Sequence, residues 1–83
     1  MRLLYFAWLK QKVGHAEEEV TLPEAVTNVE QLLAWLAQRG DNYAAALSDP
    51  KSVRVAVNQE YARPADPVQN GDEVALFPPV TGG

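Results

Sequence analysis

A chain of 83 residues with 47 % hydrophobic residues can form one small domain with a modest core and leaves no room for a second domain. The absence of cysteine excludes disulfides, thiolate nucleophiles and cysteine-ligated metals, and it suits a cytoplasmic protein. With 11 acidic and 7 basic residues, the net charge of −4 argues against binding to nucleic acid, whose phosphates need a basic surface.

The N-terminal part of the chain predicts two strands. Residues 2–8 are aromatic and aliphatic, and this composition predicts a strand that is buried on both faces. The apolar run is too short for a signal peptide or a membrane span, and Lys10 and Lys12 follow it without a cleavage site. After a turn at 13–15, residues 17–22 predict a second strand, antiparallel to the first, with Val20 and Leu22 pointing inward.

A helix is predicted over residues 27–38. Thr27 fits the N-cap position and Glu30 follows three residues later, which together are typical of a capping box. One apolar stripe at helical spacing contains Val29, Leu32, Leu33 and Leu36. Gly40 lies where a left-handed C-cap is expected, and residues 43–47 predict a further helical turn.

The second half of the chain predicts three strands. Residues 52–57 alternate between valine and other side chains, and after a turn at 58–59 residues 60–62 predict a short edge strand. A tight turn at 70–72 precedes the last strand, residues 73–77.

This order of elements predicts an α+β fold of the β-grasp type, as in ubiquitin-like proteins. We expect a mixed sheet with one main helix on one face, and the last strand beside the first and parallel to it. Residues 1–77 are the predicted domain, and residues 78–83 are a predicted flexible tail that ends in two glycines.

The predicted domain offers no convincing catalytic set. His15, the only histidine, is interpreted as a solvated turn residue, and residues 17–19 as a solvated row of glutamates at a sheet edge. Most aromatic residues are assigned to the core. Tyr61 and Phe77 are the exception, because they flank the proline-rich segments and fit either the core or an exposed docking patch.

The tail is the chain's most informative feature. Pro78 and Pro79 keep the backbone extended, whereas Gly82 and Gly83 contribute nothing to a strand or helix. Without side chains, the terminal backbone can pass through a channel too narrow for other residues. The pattern predicts a terminal carboxylate that enters another protein's active site after activation, for which adenylation by ATP is the usual route.

Residues 71–83 resemble the C-terminal segment of the family of molybdopterin synthase small subunits. Residues 5–7 with 13–14, and residues 57–61, are similar to two further segments of that family. One departure is Lys10-Gln11, which stands where the family pattern has Arg-Glu after the first strand.

The resemblance implies a sulfur carrier that is not catalytic alone and binds no cofactor. Gly83 would be adenylated by a ubiquitin-activating-like enzyme with ATP and Mg²⁺ and converted to a thiocarboxylate with sulfur from a donor protein. That group would supply sulfur to cyclic pyranopterin monophosphate inside a large subunit, in a heterotetramer of two small and two large subunits, with Gly82 needed for passage. The residues implied in partner binding are Tyr61, Phe77, Pro78, Pro79, Val80 and Thr81.

Two other functions stay open. A related carrier would serve thiazole synthesis for thiamine or act as a ubiquitin-like protein modifier. A β-grasp interaction module with an inert tail would carry no sulfur at all.

Overall fold

The computed structural model describes residues 1–79. The elements in chain order are β1 (Arg2–Tyr5), α1 (Ala7–Val13), β2 (Glu17–Glu19), α2 (Val29–Ala37), α3 (Asp41–Ala46), a 3-10 turn (Pro50–Ser52), β3 (Arg54–Val57), β4 (Glu60–Ala62) and β5 (Glu73–Phe77).

The five strands form one mixed sheet in the order β2-β1-β5-β3-β4. β5 lies in the centre, parallel to β1 and antiparallel to β3, while β1 with β2 and β3 with β4 form antiparallel pairs. The parallel pairing of the first and last strands confirms the predicted β-grasp topology. It also fixes the direction in which the chain leaves the sheet, because β5 ends beside the carboxyl end of β1.

The register divides the sheet into two faces. On the inner face, Leu3, Tyr5, Val55, Val74 and Leu76 are buried. The predicted stripe of α2 packs against this face, with Val29, Leu32 and Leu36 at most 2 % exposed and Leu33 partly buried. The outer face carries no helix in residues 1–79, and its central residues Leu4, Ala56, Ala75 and Phe77 are only half-buried.

The first predicted strand was too long and was wrongly described as buried on both faces. β1 ends at Tyr5, its residues alternate between exposed and buried, and residues 7–13 form α1. Ala7 has a φ of 55°, which turns the chain sharply out of the sheet. Helix α1 then buries Leu9 and Val13, one turn apart, and ends at Gly14 in the left-handed conformation with φ 102°.

Both predicted caps of the main helix were wrong. The N-cap is Asn28 rather than Thr27, and its side chain accepts a hydrogen bond from the Gln31 backbone N–H at 2.8 Å. The helix ends at Gln38 in a right-handed conformation, so no left-handed glycine is needed there. Gly40 instead precedes α3 as its N-cap in extended backbone.

The later strands agree with the sequence pattern, although two boundaries moved. β2 ends at Glu19, but the two inward residues that follow, Val20 and Leu22, are buried as predicted. β3 begins at Arg54 rather than at residue 52, because residues 50–52 form the 3-10 turn.

Asn58 forms three hydrogen bonds with residues at the start of β5. It adopts a φ of 51° in the predicted turn between β3 and β4, and its backbone N–H donates to the Glu73 carbonyl at 2.7 Å. Its side chain accepts from the Glu73 N–H and donates to an Asp72 carboxylate oxygen, both at 3.0 Å. These bonds hold β5 in register at the end of the strand opposite the tail.

Candidate functional site

The tail begins from the central strand of the sheet. β5 is paired on both sides up to its end, with Leu76 opposite Tyr5 of β1 and Phe77 opposite Arg54 of β3. Pro78 and Pro79 follow outside the strand and are half-buried, and no cis peptide bond occurs in residues 1–79. The exit point is therefore rigidly placed by the sheet, as a delivery role for the tail requires.

Tyr61 and Phe77 meet on the outer face beside this exit. Tyr61 is 80 % exposed, and its ring centroid lies 5.9 Å from that of Phe77 at an interplanar angle of 55°. Tyr61 stands opposite Ala56, whose small side chain leaves the tyrosine uncovered. Of the two alternatives that the sequence left open, the exposure of Tyr61 favours a surface patch over a place in the core.

Phe6 adds a third aromatic ring to this surface. The sequence placed Phe6 in the core, but it is 49 % exposed and its backbone N–H donates to the Leu76 carbonyl at 3.1 Å. Because Phe6 is extended and lies two residues beyond Leu4, it continues along the outer face. We call Phe6, Tyr61 and Phe77 the root patch. Phe6 was missed because an aromatic residue in an apolar run predicts burial.

A second group of polar side chains converges on Glu18, on the inner side of β2. Its carboxylate accepts hydrogen bonds from the hydroxyls of Tyr5 and Tyr43 at 2.6 and 2.7 Å and from Arg39 at 2.8 Å. His15 Nε2 lies 3.1 Å from the same carboxylate. We call these five residues the Glu18 hub. It joins β1, the turn before β2, β2 itself, the α2–α3 connection through Arg39, and α3 through Tyr43.

The hub corrects two sequence interpretations. Glu17 and Glu19 are exposed as expected, but the Glu18 side chain is only 15 % exposed. His15 is partly exposed yet belongs to the hub, and its ring also stands edge-on to those of Tyr5 and Tyr43. The alternation along β2 indicated that Glu18 points to the opposite face from Glu17 and Glu19. The hydrogen-bond partners of Glu18 lie up to 25 residues away in sequence, so the sequence pattern could not identify them.

The electrostatics of the hub favour a structural role. Burial alone would raise the pKa of Glu18, but the hydrogen bonds from Tyr5, His15, Tyr43 and Arg39 outweigh it and lower that pKa to about 2. Burial and the bond to Glu18 raise the pKa of Tyr43 to about 12 and that of Tyr5 further still. A carboxylate that stays ionised and is already saturated with donors is poorly suited to proton transfer at neutral pH.

The rest of the described chain lacks the features of an active site. A groove of about 540 Å³ lies between α2 and the β3–β4 hairpin and is lined mainly by aliphatic residues, with Glu30 and Arg54 as its charged members. Within residues 1–79 no group of three His, Asp or Glu side chains could hold a metal ion. No helix in this range is long and apolar enough to cross a membrane.

Comparison with known proteins identifies the family of this chain. The model of the ThiS family matches residues 3–83, and this range includes the terminal diglycine. The chain belongs to the ThiS family. Together with the relatives named below, this match confirms the predicted resemblance to molybdopterin synthase small subunits.

Two bacterial relatives match along the whole chain. The molybdopterin synthase sulfur carrier subunits of Haemophilus influenzae and Escherichia coli are 39 % and 41 % identical over 83 residues, which is 100 % of this chain and 99 % of each relative. The human protein of the same name is 30 % identical over 87 residues, with 100 % of this chain and 93 % of that protein covered.

Solved structures share the fold. A putative molybdopterin converting factor subunit 1 from Pyrococcus furiosus superposes with a TM-score of 0.77 at 31 % identity, over 95 % of each chain. SAMP1 of Haloferax volcanii superposes with a TM-score of 0.74 at 28 % identity, over 100 % of this chain and 98 % of that one.

The predicted site residues divide into two groups. Tyr61, Phe77, Pro78 and Pro79 lie within the described chain, and the structure brings the first two together. The other four, Val80, Thr81, Gly82 and Gly83, lie outside the described residues. Their roles, like the partner-binding role of the described residues, stay predictions.

Proposed function

We propose that this protein is the sulfur carrier subunit of a molybdopterin synthase. The observation that carries the proposal is the similarity to relatives of that name over the whole chain, in a family whose match runs to the last glycine.

In the proposed reaction the Gly83 carboxylate attacks the α-phosphorus of ATP, which is bound with Mg²⁺ by a separate activating enzyme, and releases pyrophosphate. Hydrosulfide supplied by the sulfur donor then displaces AMP from the acyl adenylate and, after losing its proton, leaves a thiocarboxylate. The thiocarboxylate sulfur, a softer nucleophile than oxygen, attacks a carbon of cyclic pyranopterin monophosphate and displaces the oxygen substituent of that carbon, so a C–S bond replaces a C–O bond. Water cleaves the acyl–sulfur bond, so the sulfur stays on the pterin and Gly83 regains its carboxylate. Two such transfers supply the dithiolene sulfurs.

The fold supports this chemistry by placing the start of the tail. β5 is held on both sides by the sheet, so the backbone that follows Phe77 begins at a fixed point. Six residues span at most about 20 Å when extended, which is enough to reach the bottom of a buried pocket. Gly82 has no side chain that would obstruct a narrow channel, and Val80 and Thr81 would line the entrance.

The root patch is the proposed docking surface for the second subunit. Phe77 is the last residue of β5, Tyr61 contacts its ring and Phe6 bonds to the Leu76 carbonyl, so a partner that receives the tail must pass close to them. Exposed aromatic residues commonly supply much of the binding energy at protein interfaces. Pro78 and Pro79 would keep the tail directed away from the domain. A heterotetramer of two carriers and two large subunits is the assembly that we propose.

Intact-mass spectrometry tests the chemistry directly. After incubation with the activating enzyme, Mg²⁺, ATP and a sulfur donor, the full chain should gain about 16 Da, because one oxygen is replaced by sulfur to give the thiocarboxylate nucleophile. The matched control lacks Gly83 and should gain nothing. An unmodified full chain, under conditions in which a relative's carrier is sulfurated, would contradict the proposal.

A second candidate function, protein modification, is favoured by the likeness to SAMP1, a small archaeal modifier protein. A modifier would form an isopeptide bond between Gly83 and a lysine of another protein. If cell extracts with ATP convert the tagged chain into larger covalent species that need Gly83, and no thiocarboxylate forms, modification is the correct function.

A further inference from the structure

Helix α1 carries an exposed aromatic residue with a cation above it. Trp8 is 37 % exposed, and the Lys12 ammonium lies 5.9 Å from the centroid of its ring. The two residues are one helical turn apart, on a different side of α1 from the buried Leu9 and Val13. The sequence assigned Trp8 to the core, but the structure places its ring at the surface.

The exposed aromatics of the described chain are concentrated at one place. Within residues 1–79 the exposed large hydrophobic side chains are Phe6, Trp8 and Tyr61. Phe6 and Tyr61 belong to the root patch, and Phe6 immediately precedes α1. Trp8 follows Phe6 by two residues, in the first turn of the helix that begins where the chain leaves the sheet. A cluster of this kind, next to a functional tail, is typical of an interaction surface.

Charge is also distributed unevenly. The chain has a net charge of −4, yet α1 contains no acidic residue and carries Lys10 and Lys12. Arg54 stands opposite Phe77 at the same end of the sheet. Of the acidic residues on the outer face, Glu19 and Glu73 align with Arg2 at the other end of β1. Glu17 aligns with Leu4 and forms an ion pair with Arg2. The positive charges of α1 and Arg54 thus lie near the residues from which the tail begins.

We propose that Trp8 and Lys12 form a second part of the docking surface and bind an acidic protein surface beside the entrance that receives the tail. The partner is the second subunit of molybdopterin synthase, so this inference rests on the proposed function. Trp8 inserts into an apolar recess of that subunit, and Lys12 pairs with a carboxylate at its rim. The cation–π contact holds Lys12 above the indole, so the two groups are presented together.

The two side chains have separable effects on binding. A charge at the rim of an interface mainly steers the encounter, so Lys12 should act on the association rate constant and lose its influence at high salt. A desolvated tryptophan mainly slows release, so Trp8 should act on the dissociation rate constant.

The test measures binding of full-length carrier to the purified second subunit of the same organism by stopped-flow fluorescence at low and high salt. Lys12→Gln should lower the association rate constant about two- to fivefold at low salt and scarcely at high salt. Its matched control, Arg2→Gln, removes the same charge at the far end of β1 and should associate like the wild type. Trp8→Ala should raise the dissociation rate constant about tenfold or more. Trp8→Phe should keep the dissociation rate constant close to that of the wild type, because an aromatic ring is retained.

The outcomes separate the two proposals. If the wild-type carrier binds and both Lys12→Gln and Trp8→Ala bind equally well, the docking role of α1 is wrong while the proposed function stands. If the wild-type carrier does not bind the second subunit, the proposed function fails and the docking proposal fails with it. Thermal unfolding of each variant shows whether a change in binding reflects loss of fold. If Trp8→Ala unfolds, the association rate constant of Lys12→Gln at low and high salt decides whether α1 takes part in docking.

Discussion

Replacing Glu18 by glutamine should remove a large share of this small domain's stability. The side chain is only 15 % exposed, and hydrogen-bond donors lower its pKa from 4.5 to about 2. At about 1.36 kcal/mol per pKa unit, the ionised carboxylate contributes about 3 kcal/mol to the free energy of unfolding at pH 7. Because folding lowers this pKa, the contribution is complete above pH 4.5 and is lost as the pH falls toward 2.

Urea unfolding of the wild type and Glu18→Gln at several pH values between 7 and 3 measures the effect. The difference in unfolding free energy should be about 3 kcal/mol at pH 7 and should shrink steadily below pH 4.5. Glu17→Gln is the matched control on the same strand: Glu17 pairs with Arg2 at the surface, where both side chains are more than half exposed, so little change is expected. A difference for Glu18→Gln that does not vary with pH would refute the electrostatic explanation.

Three further predictions concern the core, the root patch and the tail. Leu36→Ala should lower the free energy of unfolding in urea by about 2–5 kcal/mol because Leu36 is fully buried, and Leu33→Ala should lower it less. A decrease below about 0.5 kcal/mol for Leu36→Ala would contradict the packing of α2 against the sheet. Tyr61→Ala should leave thermal stability nearly unchanged but weaken binding to the second subunit in calorimetry, and unchanged affinity would argue against the root patch. Gly82→Val should fold normally yet fail in sulfur transfer, because a β-branched side chain would fill the partner's narrow channel and restrict the backbone. Full sulfur transfer by this variant would show that the channel is wide enough for a side chain.

The sequence predicted the sheet well because its strands have clear periodicity and clear turns. The alternating valines of β3, the turn at Asn58 and the last strand before Pro78 were placed correctly, and the ββα order indicated the parallel pairing of β1 and β5. Helix α1 was missed for a physical reason. Its N-cap, Phe6, makes no side-chain capping bond, so the sequence contains no start signal, and the aromatic run before it resembles a strand.

The candidate site was predictable where it depends on local sequence. The diglycine end and the proline root can be read directly, and Tyr61 and Phe77 were suspected from their position beside the prolines. The exposure of Phe6 and Trp8 depends on how α1 leaves the sheet, and sequence periodicity does not specify that angle. The Glu18 hub depends on tertiary contacts between residues far apart in the chain, such as Tyr5 with Glu18 and Glu18 with Tyr43.

Single-turnover conversion of cyclic pyranopterin monophosphate tests the central claim most directly. The sulfurated carrier is mixed with purified second subunit and the pterin precursor, without ATP or a sulfur donor, and the dithiolene product is measured. The full chain should yield product in proportion to the thiocarboxylate supplied, and the chain without Gly83 should yield none. If the chain that lacks Gly83 supports the same conversion as the full chain, the protein does not carry sulfur on its terminal glycine.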